Sequence, residues 1–310
     1  MVKHRGDDIC GVLLLNKPTG DSSNQILQRI KRLFNAKKAG HTDSLDPFAT
    51  GLLPCCFGKA TCLSEYFLHS DKRYEAVIQF GVSTDSHDVD GSVTATQPVA
   101  FSEQDFQQAL QAFTGDIEQI PPMVSALKHQ GQPLYKLALQ GREIERKPRK
   151  MTVFSLTGEL LGGGRAKIAV HCSSGFYVRQ LAADLGERLQ CGAHITALHR
   201  TASKYLSIDA ALTPRQIEDH LEGLEGDERR VAITELLLSP DELLVFLPRV
   251  EVSDDAAQHL THGRRIDVPE TLLNHDPQQH VRVYQGVDKF LGIGERRPVD
   301  KLKMRRLFRA

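Results

Sequence analysis

One carboxylate in this chain sits where its neighbours could put it to chemical use. Asp46 directly precedes Pro47 within residues 40–51, which read Gly-His-Thr-Asp-Ser-Leu-Asp-Pro-Phe-Ala-Thr-Gly, and Lys37 and Lys38 lie just upstream. Proline fixes its own φ and keeps the preceding residue out of the helical region, so Asp46 is expected on a stiff, extended loop. Gly40 and Gly51 at the two ends permit turns or close approach by a bulky substrate. A rigidly held loop carboxylate beside cations suits a nucleophile or base that works on a polyanion. The same residues also fit an ordinary Asx-Pro turn with no chemistry, so local spacing leaves both readings open.

Further stretches turn the balance. The twelve residues resemble the catalytic motif of the bacterial tRNA pseudouridine-55 synthases, the TruB family, which runs Gly-His-Thr-Gly-x-Leu-Asp-Pro-x-Ala-Thr-Gly. Residues 11–20, Gly-Val-Leu-Leu-Leu-Asn-Lys-Pro-Thr-Gly, followed by Ser22, Ser23 and Asn24, are similar to the family's opening motif. Asp-Lys-Arg-Tyr at 71–74 resembles the second, Ile-Pro-Pro-Met-Val-Ser-Ala-Leu-Lys at 120–128 the third, and His-Cys-Ser-Ser-Gly-Phe-Tyr-Val-Arg at 171–179 the fourth. Cys-Gly-Ala-His at 191–194 and Leu-His-Arg at 198–200 follow in the family's order, so the resemblance spans about the first two-thirds of the chain. Asp43 is a departure, standing where the family carries glycine.

The resemblance implies an isomerase that breaks the bond from N1 of one uracil to ribose C1′, turns the base and joins C5 to C1′. That reaction involves no redox change and no cofactor, and the chain contains no Walker motif or dinucleotide fingerprint. The family's catalytic aspartate maps onto Asp46. It attacks C1′, attacks C6 of the base, or promotes departure of the base to a glycal, and the sequence leaves all three routes open. Each needs an ionised carboxylate, which a nearby cation favours; by resemblance Arg179 is that partner. A base within folded RNA must be flipped out to be reached. By the same resemblance Tyr74 stacks on it, Tyr177 and Leu198 line the uracil pocket, His41 contacts RNA beside the flipped nucleotide, and Lys17 supports the site or a phosphate. Without the resemblance, Tyr74 reads as a core strand aromatic, Arg179 as a surface arginine at a helix end and His41 as an incidental loop residue. Glycine at position 43 implies a positive φ, which aspartate tolerates. The expectation is therefore an unchanged loop with Asp43 pointing to solvent, and an Asp43→Gly variant that retains or gains activity.

The implied substrate is the T-stem-loop of tRNA. Residues 123–150 form a basic insertion similar to the thumb with which stand-alone bacterial enzymes grip tRNA, so a monomer without guide RNA or obligate protein partner is expected. Two other classes compete. One is an RNA-folding chaperone with weak or impaired chemistry, and the other is a retaining glycosidase-type hydrolase. The latter needs a second catalytic carboxylate, and none is evident.

Composition bounds the scaffold. The 310 residues are 40% hydrophobic and 25% charged, ordinary for a globular protein large enough to bury a full core. Acidic and basic residues balance at 39 each, so net charge says nothing about nucleic acid. Their distribution says more. Basic residues cluster at 29–38, 128–150 and 296–309, and acid gathers at 218–228, a pattern that fits a phosphate-backbone partner as well as solvated faces. Six cysteines form no Cys-x-x-Cys pair and thirteen histidines no His-Glu-x-x-His, so zinc is not expected and free thiols in a reducing cytoplasm are. No leader or membrane-spanning stretch is read. Ser86, Asp88, Asp90 and Gly91 resemble a calcium loop but lack its closing glutamate, so a surface turn is expected.

Periodicity supplies the elements. Residues 12–15 predict a buried strand; Ser22 or Ser23 caps a helix with Ile26, Leu27, Ile30, Leu33 and Phe34 on one face. Residues 74–82 alternate as a half-buried strand, and Ser102 with Asp105 opens a helix that closes at Gly115. Residues 154–161 and 165–172 form a hairpin about three glycines, followed by a helix bearing Leu181, Leu185 and Leu189. Thr213 and Pro214 begin another helix. After about residue 248 short strands prevail. The overall expectation is an α+β fold. Residues 1–247 form a catalytic domain with a mixed, largely antiparallel sheet of pseudouridine synthase type and flanking helices. Residues 248–310 form a small β-rich domain that resembles the PUA RNA-binding module.

Overall fold

Residues 6–308 are described by the computed structural model, apart from Ala126 and Asn274; Ala126 of the 120–128 motif and Arg309 of the basic tail lie outside the described residues. The apolar run near the N-terminus forms the strand Gly11–Lys17, buried on both faces. It lies at one edge of a nine-stranded sheet, where its outer groups bond to other chain segments: Val12 N donates to Leu238 O and Asn16 N to Leu212 O, both at 2.9 Å. Covering the edge in this way removes an aggregation-prone surface. The helix Ser23–Leu33 starts from a capping box between Ser22 and Gln25 and buries Ile26, Leu27 and Ile30 against Leu13, Leu15, Leu53 and Phe57.

Named by first residue, the main path of the sheet runs 11, 50, 193, 72, 165, 149, 115. Every pairing along it is antiparallel except one short parallel contact, His199 with Thr50 and Arg200 with Gly51. The strand Lys72–Phe80 is central and turns Ala76, Ile78 and Phe80 into a core shared with Ile168, Val170, Leu181 and Phe106. The hairpin strand is longer than expected, Arg149–Gly162, because its first residues pair with Gly115–Gln119. That short partner, Gly-Asp-Ile-Glu-Gln, carries acids on its exposed face and only one buried residue, too weak a pattern to read from sequence.

A five-stranded sheet follows, ordered by first residue 249, 281, 289, 301, 266. It has its own core of Val250, Leu260, Val283, Leu291 and Leu302, to which the unexpected helix Asp254–Thr261 contributes Leu260. Ile293, with Phe290 and Phe308 beside it, joins a second cluster with Leu63, Phe67 and Leu244 of the larger sheet's surroundings. The fold is the mixed, largely antiparallel α+β arrangement expected, with a β-rich C-terminal part. No helix among the described residues is long and apolar enough to cross a membrane.

Candidate active site

Asp46 lies on an irregular loop held from several sides. Leu45 N donates to Ser23 Oγ at 2.7 Å, and Ser23 Oγ donates to Leu45 O at 2.9 Å. Lys17 Nζ donates to Pro47 O at 3.1 Å and Ala49 O at 2.7 Å, while Gly20 N donates to Pro47 O at 2.9 Å. The first strand and the first helix thus fix the Asp-Pro loop through its own carbonyls.

A cavity of about 180 Å³ opens beside the carboxylate, with Asp43, Asp46, Tyr74, Tyr177, Arg179 and Leu198 among its lining. Arg179 Nε lies 2.9 Å from Asp46 Oδ2. The rest of the guanidinium is also engaged: Nη1 with Asp88 Oδ2 at 3.3 Å and Ser86 O at 3.2 Å, and Nη2 with Val124 O at 2.8 Å. A planar fork so engaged has one orientation. The Arg179 side chain is 5% exposed and that of Asp46 39%, so the cation is sealed while the carboxylate keeps an accessible face. Burial pushes the Asp46 carboxyl above its ordinary range; Arg179 works against this and Asp88 adds to it.

Tyr74 and Tyr177 form two walls. Tyr74 is the cross-strand neighbour of both Val170 and Arg200, and burial pushes its phenol up. Tyr177 immediately precedes the helix Val178–Arg188, and Gln119 holds both its backbone groups: Tyr177 N donates to Gln119 Oε1 at 2.8 Å and Gln119 Nε2 to Tyr177 O at 3.0 Å. Burial raises its phenol also. His41 is on the strand Ala39–His41, away from the cavity lining, with a buried Nδ1 that lacks a hydrogen-bond partner and a pKa lowered by burial.

Lys17 is fully buried with its amine donated to the Pro18, Pro47 and Ala49 carbonyls, so of its two expected roles the structure shows support of the site's loop. Two expectations are corrected. Asp43 does not adopt a positive φ and does not face open solvent; it lines the cavity and pairs with Arg200 at 3.2 Å and Lys72 at 3.6 Å. The turn around residues 86–91 is more than surface, since Asp88 is 4% exposed and bonded to Arg179. Arg305, within the basic cluster at 296–309, is paired with Glu65 at 2.9 Å. Sequence reasoning also missed Gln119, Ser23, Val124, Lys72 and Arg200. Ser23, Lys72, Val124 and Arg200 stood within quoted motifs, whereas Asp88 and Gln119 act through contacts that no spacing encodes. Among the described residues, no group of three His, Cys, Asp or Glu side chains is arranged to hold a metal ion.

Comparison with known proteins gives a consistent result. Residues 31–178 match the profile described as TruB family pseudouridylate synthase (N terminal domain). Residues 179–245 match a tRNA pseudouridylate synthase B C-terminal domain, and 248–308 match Pseudouridine synthase II TruB, C-terminal. The chain is 49% identical over 297 residues to the tRNA pseudouridine synthase B of Thiobacillus denitrificans, covering 96% of this chain and 95% of that protein. It is 43% identical over 310 residues to the one from Tolumonas auensis, covering 99% and 94%. Among solved structures, a chain of a Cbf5-Nop10-Gar1 complex shares the fold with a TM-score of 0.70 at 24% identity, covering 96% of this chain and 85% of that one.

Proposed function

The chain belongs to the TruB family of pseudouridylate synthases, which are isomerases, and we propose that it converts uridine 55 in the T-loop of tRNA to pseudouridine without a guide RNA. The observation that carries this reading is the pairing of Asp46 with a sealed Arg179 in the cavity walled by Tyr74. Support for tRNA as the substrate comes from the relatives named tRNA pseudouridine synthase B, matched over nearly their whole length.

In this reading the target uridine is flipped out of the T-loop, because its reactive atoms are hidden while it is stacked. Its base lies on Tyr74, whose ring offers a π-face, with Leu198 and Tyr177 closing the sides. Asp46, kept ionised by Arg179 against the cost of burial, starts the exchange at C1′ or C6 or drives the base off as a glycal. The detached base stays in the cavity, turns and rejoins through C5; C5 then loses its proton and N1 gains one, so the atoms balance and no external group is needed. His41, outside the cavity but near the Asp46 loop in sequence, contacts RNA beside the vacated position. We assign residues 1–247 to this chemistry, residues 123–150 to gripping the tRNA, and residues 248–310 to further RNA contact, in a monomer that works in the cytoplasm.

The test is to map pseudouridine in a tRNA transcript treated with the purified protein. Modification confined to position 55 is expected. Asp46→Asn, nearly isosteric but without a nucleophilic carboxylate, should abolish turnover while RNA affinity stays within about threefold. Substantial turnover by that variant would overturn the assignment. RNA binding and refolding by a wild-type protein that forms no pseudouridine would favour the chaperone reading.

A further inference from the structure

Two cations lie beneath the wall of the cavity that carries Tyr74 and Leu198. Lys72 is two residues before Tyr74 on its strand, and Arg200 is two residues after Leu198 on the next. Both are closed to solvent, at 3% and 0% exposure. Lys72 Nζ donates to the carbonyls of Phe67, Leu68 and Ser70, and Arg200 Nε donates to Leu52 O at 2.7 Å. These contacts occupy the Lys72 amine and Arg200 Nε, Arg200 Nη2 is buried without a hydrogen-bond partner, and two buried positive charges are left to be balanced. Among the described residues, Asp43 is the one carboxylate at salt-bridge distance from either. Its Oδ2 faces both cations, and Ser44 N donates to its Oδ1 at 2.9 Å, which fixes the carboxylate's tilt.

Asp43 is three residues from Asp46 on the same loop. The loop's other side-chain ties run to the first strand through Lys17, to the first helix through Ser23, to Thr19 and to Arg179, and at its far end Thr50 Oγ1 lies 2.8 Å from His199 Nδ1 on the strand of Leu198. Asp43, three residues before Asp46, ties the loop's near end to both the strand of Tyr74 and that of Leu198. We propose that Asp43 is a positioning residue for the isomerisation: its carboxylate, clamped between Lys72 and Arg200, holds the Asp46 loop in register with the wall that receives the base. The inference rests on the uridine-isomerising reading of the same cavity. The mechanism is geometric, since a displacement of about 1 Å between a reacting group and its substrate is enough to cost about a hundredfold in rate. The motif this chain resembles usually has glycine at this position, and the clamp reverses the expectation that Asp43→Gly retains or gains activity.

The experiment compares wild type, Asp43→Asn and Asp43→Gly on tRNA, with and without formate. Each variant should lose more than about tenfold in single-turnover rate at saturating enzyme while its RNA Kd moves less than about threefold. Formate, a small carboxylate able to occupy the space vacated in Asp43→Gly, should restore part of that variant's rate and none of that of Asp46→Asn. It should also raise the melting temperature of Asp43→Gly and leave that of wild type unchanged, a readout independent of turnover. Asp43→Asn, nearly isosteric, carries the rate comparison if the glycine variant does not fold. Rates within about twofold of wild type, a loss confined to RNA affinity, or the absence of any formate effect on Asp43→Gly would overturn the clamp. A wild-type protein that forms no pseudouridine would overturn the functional reading instead, and the melting shift would then decide whether the clamp exists.

Discussion

Asp88 and Lys17 stand one step behind Asp46, and both make predictions at the scale of single residues. Asp88 holds the far side of the Arg179 guanidinium and is itself closed to solvent. Asp88→Asn keeps the shape but removes the charge, so Arg179 is free to shift toward Asp46. Turnover should fall by about ten- to a hundredfold, the range for a lost partner one step behind a reacting group, with RNA affinity unchanged. Single-turnover kinetics beside binding measurements check this. The pH profile follows from two shifts. In the proposed mechanism Asp46 reacts as its carboxylate, and burial raises its pKa, so the rate should fall on acidification at a pH above the usual carboxylate range. Burial pushes Lys17 down to about 8. Above that pH it becomes a neutral amine with two N–H groups for three carbonyls, and the loop loses a tie as well as a nearby charge. A bell-shaped rate profile with an alkaline limb near pH 8 is expected, and Lys17→Met, which cannot titrate, should lack that limb.

At the scale of elements, the contact between the strands Thr50–Phe57 and Ala193–Ser203 depends on one glycine. Gly51 has φ +105°, and a Cβ there would lie 2.4 Å from Arg200 O. Gly51→Ala therefore meets both an unfavourable backbone conformation and a backbone clash that no side-chain rotation relieves. A loss of more than about 2 kcal/mol of stability is expected, measured by urea denaturation. Elements with chemical punctuation were readable in advance. The capping boxes at Ser22 and Ser102, the proline start at Pro214 and the glycine turn at 162–164 all lie where local chemistry put them. The strand Gly115–Gln119 was not readable, because its place is set by a partner more than thirty residues later.

On the scale of the whole molecule, the C-terminal sheet is fastened to the larger one by polar as well as apolar contacts. Tyr66 Oη and His280 Nδ1 are 2.7 Å apart, and Arg305 pairs with Glu65 at 2.9 Å. Arg306 is exposed and lines a cavity with Lys38 and Lys59, so it is the member of this arginine pair placed to meet an RNA phosphate. Arg306→Ala should flatten the plot of log affinity against log salt by roughly 0.7 to 0.9, the value for one lost phosphate contact, and leave the rate at saturating enzyme unchanged. Arg305→Ala should change that slope less, since its charge is already spent on Glu65. Filter binding of tRNA over a range of salt concentrations separates the two.

Sequence alone determined the carboxylate, the family and the class of fold. Asp46 is locked by the proline that follows it, and the ordered motifs name a reaction because each keeps its residue types in contiguous runs. Contiguity also made Arg179, Tyr74, Tyr177 and Leu198 legible, and the structure brings all four to one cavity with Asp46. Tertiary structure alone decided which charges face one another. Asp43 looked like a solvated substitute for glycine, yet the antiparallel register of two distant strands sets Lys72 and Arg200 behind it. Asp88 looked like part of a turn, yet the turn folds over the end of a helix and puts its carboxylate on Arg179. Electrostatic partnership depends on distance and burial across the chain, and neither is written in the spacing of residues along it.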